Sequence, residues 1–390
     1  MPSRPRFRPG LLRVPFRPGI RFPPRLQPLL HPPPARYLTT TPFPTSPNPT
    51  DTSPRAASHA ALTLLPLSSL TLTRTQHLDP HALQKLSLLL GRPNLHSNPP
   101  ISVRDAPPPR GTPLPLGYHL IYFTPAQLES ELGEDGTDVL FNAPRPFTRR
   151  MWAGGRIKWE YEDGEGKGER VLRVGEEVEE RSRIVKAEGK KGRDGRGMVV
   201  VEVEKVLSVK GGGGRVVDVR SWIFRPPVEA PDTATPVTPV TDSISPYTKS
   251  RVWDVPSSDS SSPFTVRHMH WSPVALFGFS GLTYNAHMIH YNESWTRNVE
   301  GHPGLVVHGP LNLINMLDYW RDVHGKTEKG LRLKFISYRA MSPIYAGEPY
   351  RITSSVLKEG REPRFEVLVK KGDVVCMRGE ITAERAESSR

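Results

Sequence analysis

Two alternating runs around a glycine cluster constrain this 390-residue chain more than any other feature. From Met198 to Val209, Val199, Val201 and Val203 fall on one face, with Glu202 and Glu204 among the residues on the other. Gly211 to Gly214 makes a turn, and Arg215 to Phe224 returns as a second strand. That pattern is a β-hairpin signal. Upstream, Arg156 to Tyr161 and Val178 to Lys186 read as further strands, and His81 to Leu90 as a short helix. These elements define a first folded unit over residues 77–226. A Pro/Thr/Ser-rich stretch over 227–250 follows as a linker.

A second unit spans 251–384. Its central element is a helix opening at Pro310, where Leu313, Met316, Leu317 and Trp320 recur at helical spacing. Proline at the first helical position gives up an amide hydrogen that has no intrahelical partner anyway. Strands follow over Leu333 to Ala340, Tyr350 to Lys358, Phe365 to Lys371 and Val374 to Ala383, the last two joined across Gly372-Asp373. A helix followed by antiparallel strands is an α+β layout.

The chemistry concentrates in Phe279-Ser280-Gly281-Leu282-Thr283-Tyr284-Asn285-Ala286-His287-Met288-Ile289-His290 and Gly304-Leu305-Val306-Val307-His308-Gly309-Pro310-Leu311. An amide and an imidazole stand five residues apart, shortly before the start of an apolar helix. Histidine titrates near neutral pH and shuttles protons. An amide at a helix N-terminus, helped by the helix dipole, is a natural oxyanion donor. The segment closely resembles the active-site stretch of the MaoC-like hydratases and dehydratases. Within these, it resembles the mitochondrial 3-hydroxyacyl-thioester dehydratase type 2 and mesaconyl-C4-CoA hydratase group. Pro146 to Gly155 and Asp218 to Pro226 are also similar to that group, and the resemblance covers about 115–385.

The resemblance implies a double hotdog, with two helix-wrapped antiparallel sheets in one chain, the second catalytic and the first shaping the substrate tunnel. It implies reversible dehydration of (3R)-3-hydroxyacyl thioesters within mitochondrial type II fatty-acid synthesis. His290 would be the acid/base, Asn285 would hold the hydroxyl, and Gly309 would supply the oxyanion amide. Asn285 departs from the aspartate of the hydratase pattern, and an amide cannot take a proton. Tyr284, His287, Pro310, Arg149, Arg150 and Trp152 would contact substrate, while His308 would hold the turn before the helix. The thioester would ride on acyl carrier protein or coenzyme A, and Arg297, Arg321, Lys326 and Lys329 are candidates for a basic rim. Hydration of a short dicarboxylic enoyl-CoA is an alternative, with Arg149, Arg150 or Arg339 as its cation. A non-catalytic thioester-binding module and a thioesterase are further alternatives. No cofactor is implied, and the chain is expected as a monomer or a homodimer.

Composition narrows the remaining classes. Residues 1–50 hold 15 prolines, eight arginines, no lysine and no acid. Arginine without acid, with Ser and Thr following, is the signature of an organellar transit peptide. Arg36-Tyr37-Leu38-Thr39-Thr40-Thr41 resembles the arginine-based cleavage motif of mitochondrial precursors. Residues 1–76 are therefore expected to be a transit peptide and disordered leader to the mitochondrial matrix, with Ala61 to Leu72 packing on the body or belonging to the leader. The leader carries +8 of the net +13, so the high pI is no argument for nucleic-acid binding by the folded part. No apolar run reaches the length of a membrane span. Cys376 is the only cysteine, which excludes an internal disulfide. His268, His270, His287 and His290 lack the carboxylates or thiolates of a metal site, and no hydrolase elbow or nucleotide fingerprint is present.

Overall fold

The computed structural model describes residues 50–95, 99–160, 172–228, 248–257, 264–325 and 331–385. All belong to one unit, Pro44–Arg390. Along the chain the elements are helix α1 (Pro54–Leu64), β1 (Leu72–His77), α2 (Pro80–Leu89), the short strands β2 (Asn94–Leu95) and β3 (Ile101–Ser102), then β4 (Arg149–Glu160), β5 (Glu177–Lys191), β6 (Gly197–Val209) and β7 (Arg215–Arg225). The second half contributes β8 (Arg251–Pro256), β9 (Thr265–His270), α3 (Pro273–Leu282), α4 (Glu293–Asn298), α5 (Gly309–Trp320), β10 (Leu331–Ala340), β11 (Tyr350–Lys358), β12 (Arg364–Lys371) and β13 (Val374–Arg385).

Eleven strands form one antiparallel sheet in the order β1-β5-β6-β7-β4-β10-β13-β12-β11-β9-β8. The five strands of the first half and the six of the second meet at a seam between β4 and β10, where Ile157 pairs with Ile336 and Gly154 with Arg339. This is the α+β double hotdog. In the second half the sheet wraps α5, whose residues from Leu311 to Trp320 are all buried. In a helix buried all round, polar groups gain by finding partners. Asn312 Oδ1 accepts from Tyr350 Oη at 2.9 Å, and Asp318 is met by Tyr118 Oη at 3.0 Å and Arg92 Nε at 2.9 Å. Tyr118 and Arg92 come from the first half, so α5 is gripped from both sides.

The body begins earlier than the expected boundary at residue 76. Ser53 caps α1 by accepting from the Ala56 amide, with Pro54 in the first turn. Ala56, Ala57, Ala60, Ala61 and Leu64 form its buried stripe, which packs on Ile184, Val199, Val201, Val203 and Phe224. Small residues let the backbones meet: a Cβ on Gly197 would lie 2.4 Å from Ser53 O. β1 then pairs with β5, Arg74 opposite Glu180. Residues 50–76 are thus structural, and the expectation for the rest of the leader lies outside the described residues, as do most of the linker and Lys326 and Lys329. Among the described residues no helix is long and apolar enough to cross a membrane.

Candidate active site

The site is built by three chain segments converging on the start of α5. The first is the end of α3. Its last carbonyls are closed by two backbone bonds, Tyr284 N to Gly281 O at 3.3 Å and Asn285 N to Ser280 O at 2.9 Å, with Tyr284 at φ 47°. This is a Schellman ending with a non-glycine residue in the left-handed region. Such a conformation is costly for an aromatic residue. It turns the chain sharply, and Asn285 Oδ1 then accepts from His287 N at 3.3 Å to hold the next bend.

The second segment is the tight turn Met288–His290. His290 is buried, and its Nδ1 lies 2.7 Å from Val306 O. A carbonyl only accepts, so Nδ1 carries the proton and Nε2 is left as an unprotonated acceptor. The ring stacks on His308 at 3.5 Å between centroids and 18° between planes, and His287 stands edge-on to it at 5.4 Å. Burial pulls His290 down to about 4, with the nearby Arg150 and His302 acting in the same direction against the Val306 hydrogen bond. His287 and His308 are held well below the usual range, again chiefly by burial. The imidazoles are therefore neutral at physiological pH. His308 is buried, its Nε2 lies 2.9 Å from Ser280 Oγ, and it forms the N-cap residue of α5. It holds the turn, as the sequence suggested, and supports the His290 ring.

The third segment is the helix start itself. Gly309 and Pro310 open α5, and its first-turn amides have no partner within the helix. A Cβ on Gly309 would lie 2.7 Å from Trp152 Cδ1, so only glycine lets Trp152 of β4 close over this end. Trp152 stacks on Tyr338 and meets Trp222 edge-on. The register of β4 against β7 shifts between Trp152 and Gly154, and such a bulge re-aims a side chain.

One cavity of about 330 Å³ is lined by all nine residues singled out from the sequence: His290, Asn285, Gly309, Tyr284, His287, Pro310, Arg149, Arg150 and Trp152. Arg149 is bound to Glu300, Nε to Oε2 at 2.6 Å, and Arg150 to Asp138, Nη2 to Oδ2 at 3.0 Å. Burial alone would raise Asp138, but Arg150 overcomes it and holds the carboxyl below its usual value. Three expected cations fall elsewhere. Arg339 is exposed and outside the lining, because it points away from the inner face at the seam. Arg321 is bound to Asp318 at the far end of α5, at 2.6 Å, and serves packing rather than a rim. Arg297 is paired with Glu293 on α4. Among the described residues no three His, Cys, Asp or Glu side chains form a metal-ligand set.

Sequence reasoning gave the first half a tunnel role but missed the contact that its Asp135–Gly136 turn makes with the 285–290 segment. Asp135 O accepts from Met288 N at 2.8 Å, and Asp135 Oδ2 lies 3.5 Å from His287 Nε2. Gly136, at φ +80°, passes so close that a Cβ there would be 2.2 Å from Ala286 O. Both obstacles are backbone, so Gly136→Ala should destabilise the protein by roughly 2–4 kcal/mol and displace the 285–290 turn. Urea titration with a parallel activity assay checks this; a variant with unchanged midpoint and rate would show that the clasp is dispensable. Lys205, Arg74 and Arg220 were also missed, and all three line the cavity. Lys205 had a readable signal, since it continues the phase of Val199, Val201 and Val203 onto the buried face.

Comparison with known proteins identifies the family and the fold. Residues 117–346 match the family described as hydroxyacyl-thioester dehydratase type 2. The chain is 30% identical over 255 residues to mesaconyl-C(4)-CoA hydratase of Chloroflexus aurantiacus, covering 63% of this chain and 76% of that protein. It is 27% identical over 263 residues to the mitochondrial hydroxyacyl-thioester dehydratase type 2 of Schizosaccharomyces pombe, covering 63% and 78%. Among solved structures, a MaoC-like dehydratase superposes with a TM-score of 0.56 at 12% identity, covering 83% of this chain and all of the other. One from Phytophthora capsici gives 0.50 at 15%, covering 82% and 96%. At such identities these structures bear on the fold alone.

Proposed function

The chain belongs to the hydroxyacyl-thioester dehydratase type 2 family and is a hydro-lyase, and from that premise we propose that His290 interconverts (3R)-3-hydroxyacyl and trans-2-enoyl thioesters. The observation carrying this reading is a neutral imidazole with Nε2 unprotonated in the same cavity as the opening amide of α5. In dehydration, Nε2 takes a C2 proton while negative charge builds on the thioester oxygen. The Gly309 N–H and the positive end of α5 stabilise that charge. The C3 hydroxyl, oriented by the Asn285 amide, takes the proton back from the imidazolium and leaves as water. With His290 held near 4, its imidazolium is a strong acid, which suits that second transfer. Asn285 changes no protonation state, so one imidazole does both transfers.

Two substrate sets share this chemistry. The acid-free, arginine-rich first fifty residues and the mitochondrial relative support a matrix enzyme acting on the intermediates of type II fatty-acid synthesis, on acyl carrier protein or coenzyme A. The cations lining the cavity favour a second reading, a short enoyl-CoA with another carboxylate. Incubating purified protein with 3-hydroxybutyryl and longer thioesters on both carriers, and following enoyl absorbance and free thiol, tests the common step. Enoyl formation without thiol release is expected. Thiol release, or binding without turnover, would replace the reading with a thioesterase or a binding module.

A further inference from the structure

We infer that Lys205, Arg74 and Arg220 form a binding site for a carboxylate at the far end of a short acyl chain. This rests on reading the cavity as the acyl-thioester site, and it selects dicarboxylic monothioesters over plain alkyl ones.

The three cations stand in a ladder across the inner face of the first half. Register places Arg74 of β1 opposite Glu180 of β5, Ser182 of β5 opposite Lys205 of β6, and Lys205 opposite Asp218 of β7. Arg74 Nη2 donates to Glu180 Oε1 at 2.6 Å, and Lys205 Nζ donates to that same oxygen at 3.1 Å and to Ser182 Oγ at 3.2 Å. Arg220 Nε donates to Asp218 Oδ2 at 2.7 Å. Three cations thus face two carboxylates, and Arg74 and Lys205 share one oxygen. The other cations of the cavity, Arg149 and Arg150, each have a carboxylate of their own in Glu300 and Asp138. Asp138 also lies near enough to act on Lys205, but five cations still meet four carboxylates here, which leaves one positive charge in surplus along this wall.

Its placement points the charge inward. Arg74, Lys205 and Arg220 line the cavity, whereas Glu180 and Asp218 are buried behind them and do not. Lys205 is 6% exposed, and an ammonium has three donors, of which two are engaged among the described residues. Burial, together with Arg220 and Arg74, pulls Lys205 down to about 8 despite Glu180. A buried surplus charge is unfavourable unless an opposite charge meets it. A hydrocarbon tail would strip water from this wall and return nothing, while a carboxylate would complete it.

The test is calorimetric titration of the full-length protein with succinyl-CoA, butyryl-CoA and free coenzyme A. The first two differ in a terminal carboxylate against a methyl. Succinyl-CoA is expected to bind at least about tenfold more tightly than butyryl-CoA. Lys205→Met should erase that advantage and leave butyryl-CoA and free coenzyme A within about twofold. Lys205→Arg, which keeps the charge, should retain it. The inference is overturned if butyryl-CoA binds as well as succinyl-CoA. It is also overturned if Lys205→Met weakens free coenzyme A equally, because the ladder would then hold a carrier phosphate. Binding needs no turnover, so a failed dehydration assay beside a retained succinyl preference would fault the catalytic reading alone. If neither thioester binds, the acyl-cavity reading falls together with this one.

Discussion

His290→Ala should lower kcat by a factor on the order of 10²–10⁴, the range over which a positioned acid/base acts. The prediction is specific to one nitrogen. Nδ1–H is tied to Val306 O, so only Nε2 can exchange protons with a ligand in the cavity. Removing the ring also leaves the Val306 carbonyl without its side-chain donor, which costs about 1–3 kcal/mol if nothing replaces it. The assay therefore needs a folding control, such as near-UV circular dichroism and a melting curve. His290→Gln offers a second variant that keeps a donor for Val306 but no base. Both should be equally slow if proton transfer is what was lost. Either variant running within tenfold of the parent would remove His290 from the chemistry. In the parent, kcat/KM should show no fall attributable to His290 until the pH approaches about 4, because that is where its ring takes a proton.

Acid should unfold this protein earlier than its carboxylates alone would dictate. His287, His290, His302 and His308 are all held below the ordinary histidine value, His290 and His302 to about 4 and the other two well below the usual range. Burial is the leading cause for each. In the unfolded chain these rings titrate near ~6.5. Above that value neither state binds the protons, and the depressed values have no effect on stability. As pH falls below it, the unfolded chain takes up protons that the native state refuses, so stability drops. His290 alone accounts for roughly 2 kcal/mol at pH 5 on this basis. Neighbouring rings repel when charged, so the four contributions will not add simply. Asp218 and Asp322, held at about 2 by their arginines, lose their contribution only below the ordinary carboxylate range. Between pH 7.5 and 5 the melting temperature is expected to fall by roughly 5 °C, because the unfolding entropy of a unit as long as Pro44–Arg390 makes each kcal/mol worth about 1.5 °C. A melting temperature flat over that interval would mean that the rings are hydrated or already protonated in the native protein.

The hairpin of β6 and β7, the strands β10 to β13 and the helix α5 were legible because each carries a clean period. The nine candidate residues could be singled out because most sit in two short contiguous motifs and the rest in one strand, and the fold brings them to one cavity. Three things were not. Helix α1 follows directly on the Pro- and Thr-rich end of the leader, and its buried stripe is mostly alanine, which gives only a weak hydrophobic period. Helix α3, Pro273-Val274-Ala275-Leu276-Phe277-Gly278-Phe279-Ser280-Gly281-Leu282, is apolar on every side and has no period to read. The ion pairs were hidden by distance: Arg149 and Glu300 stand 151 residues apart, and no local spacing announces them.

Because β4 and β10 knit both halves into one sheet, the chain carries its own partner, and two copies of one fold are free to diverge. Symmetric subunits would have to repeat every residue twice. Here one lobe keeps an imidazole and a helix tip, and the other is released from that duty to furnish a charged wall and the clasp that steadies the reactive turn. Cutting the chain between the lobes would therefore part the proposed proton-transfer group from the proposed charge-reading wall.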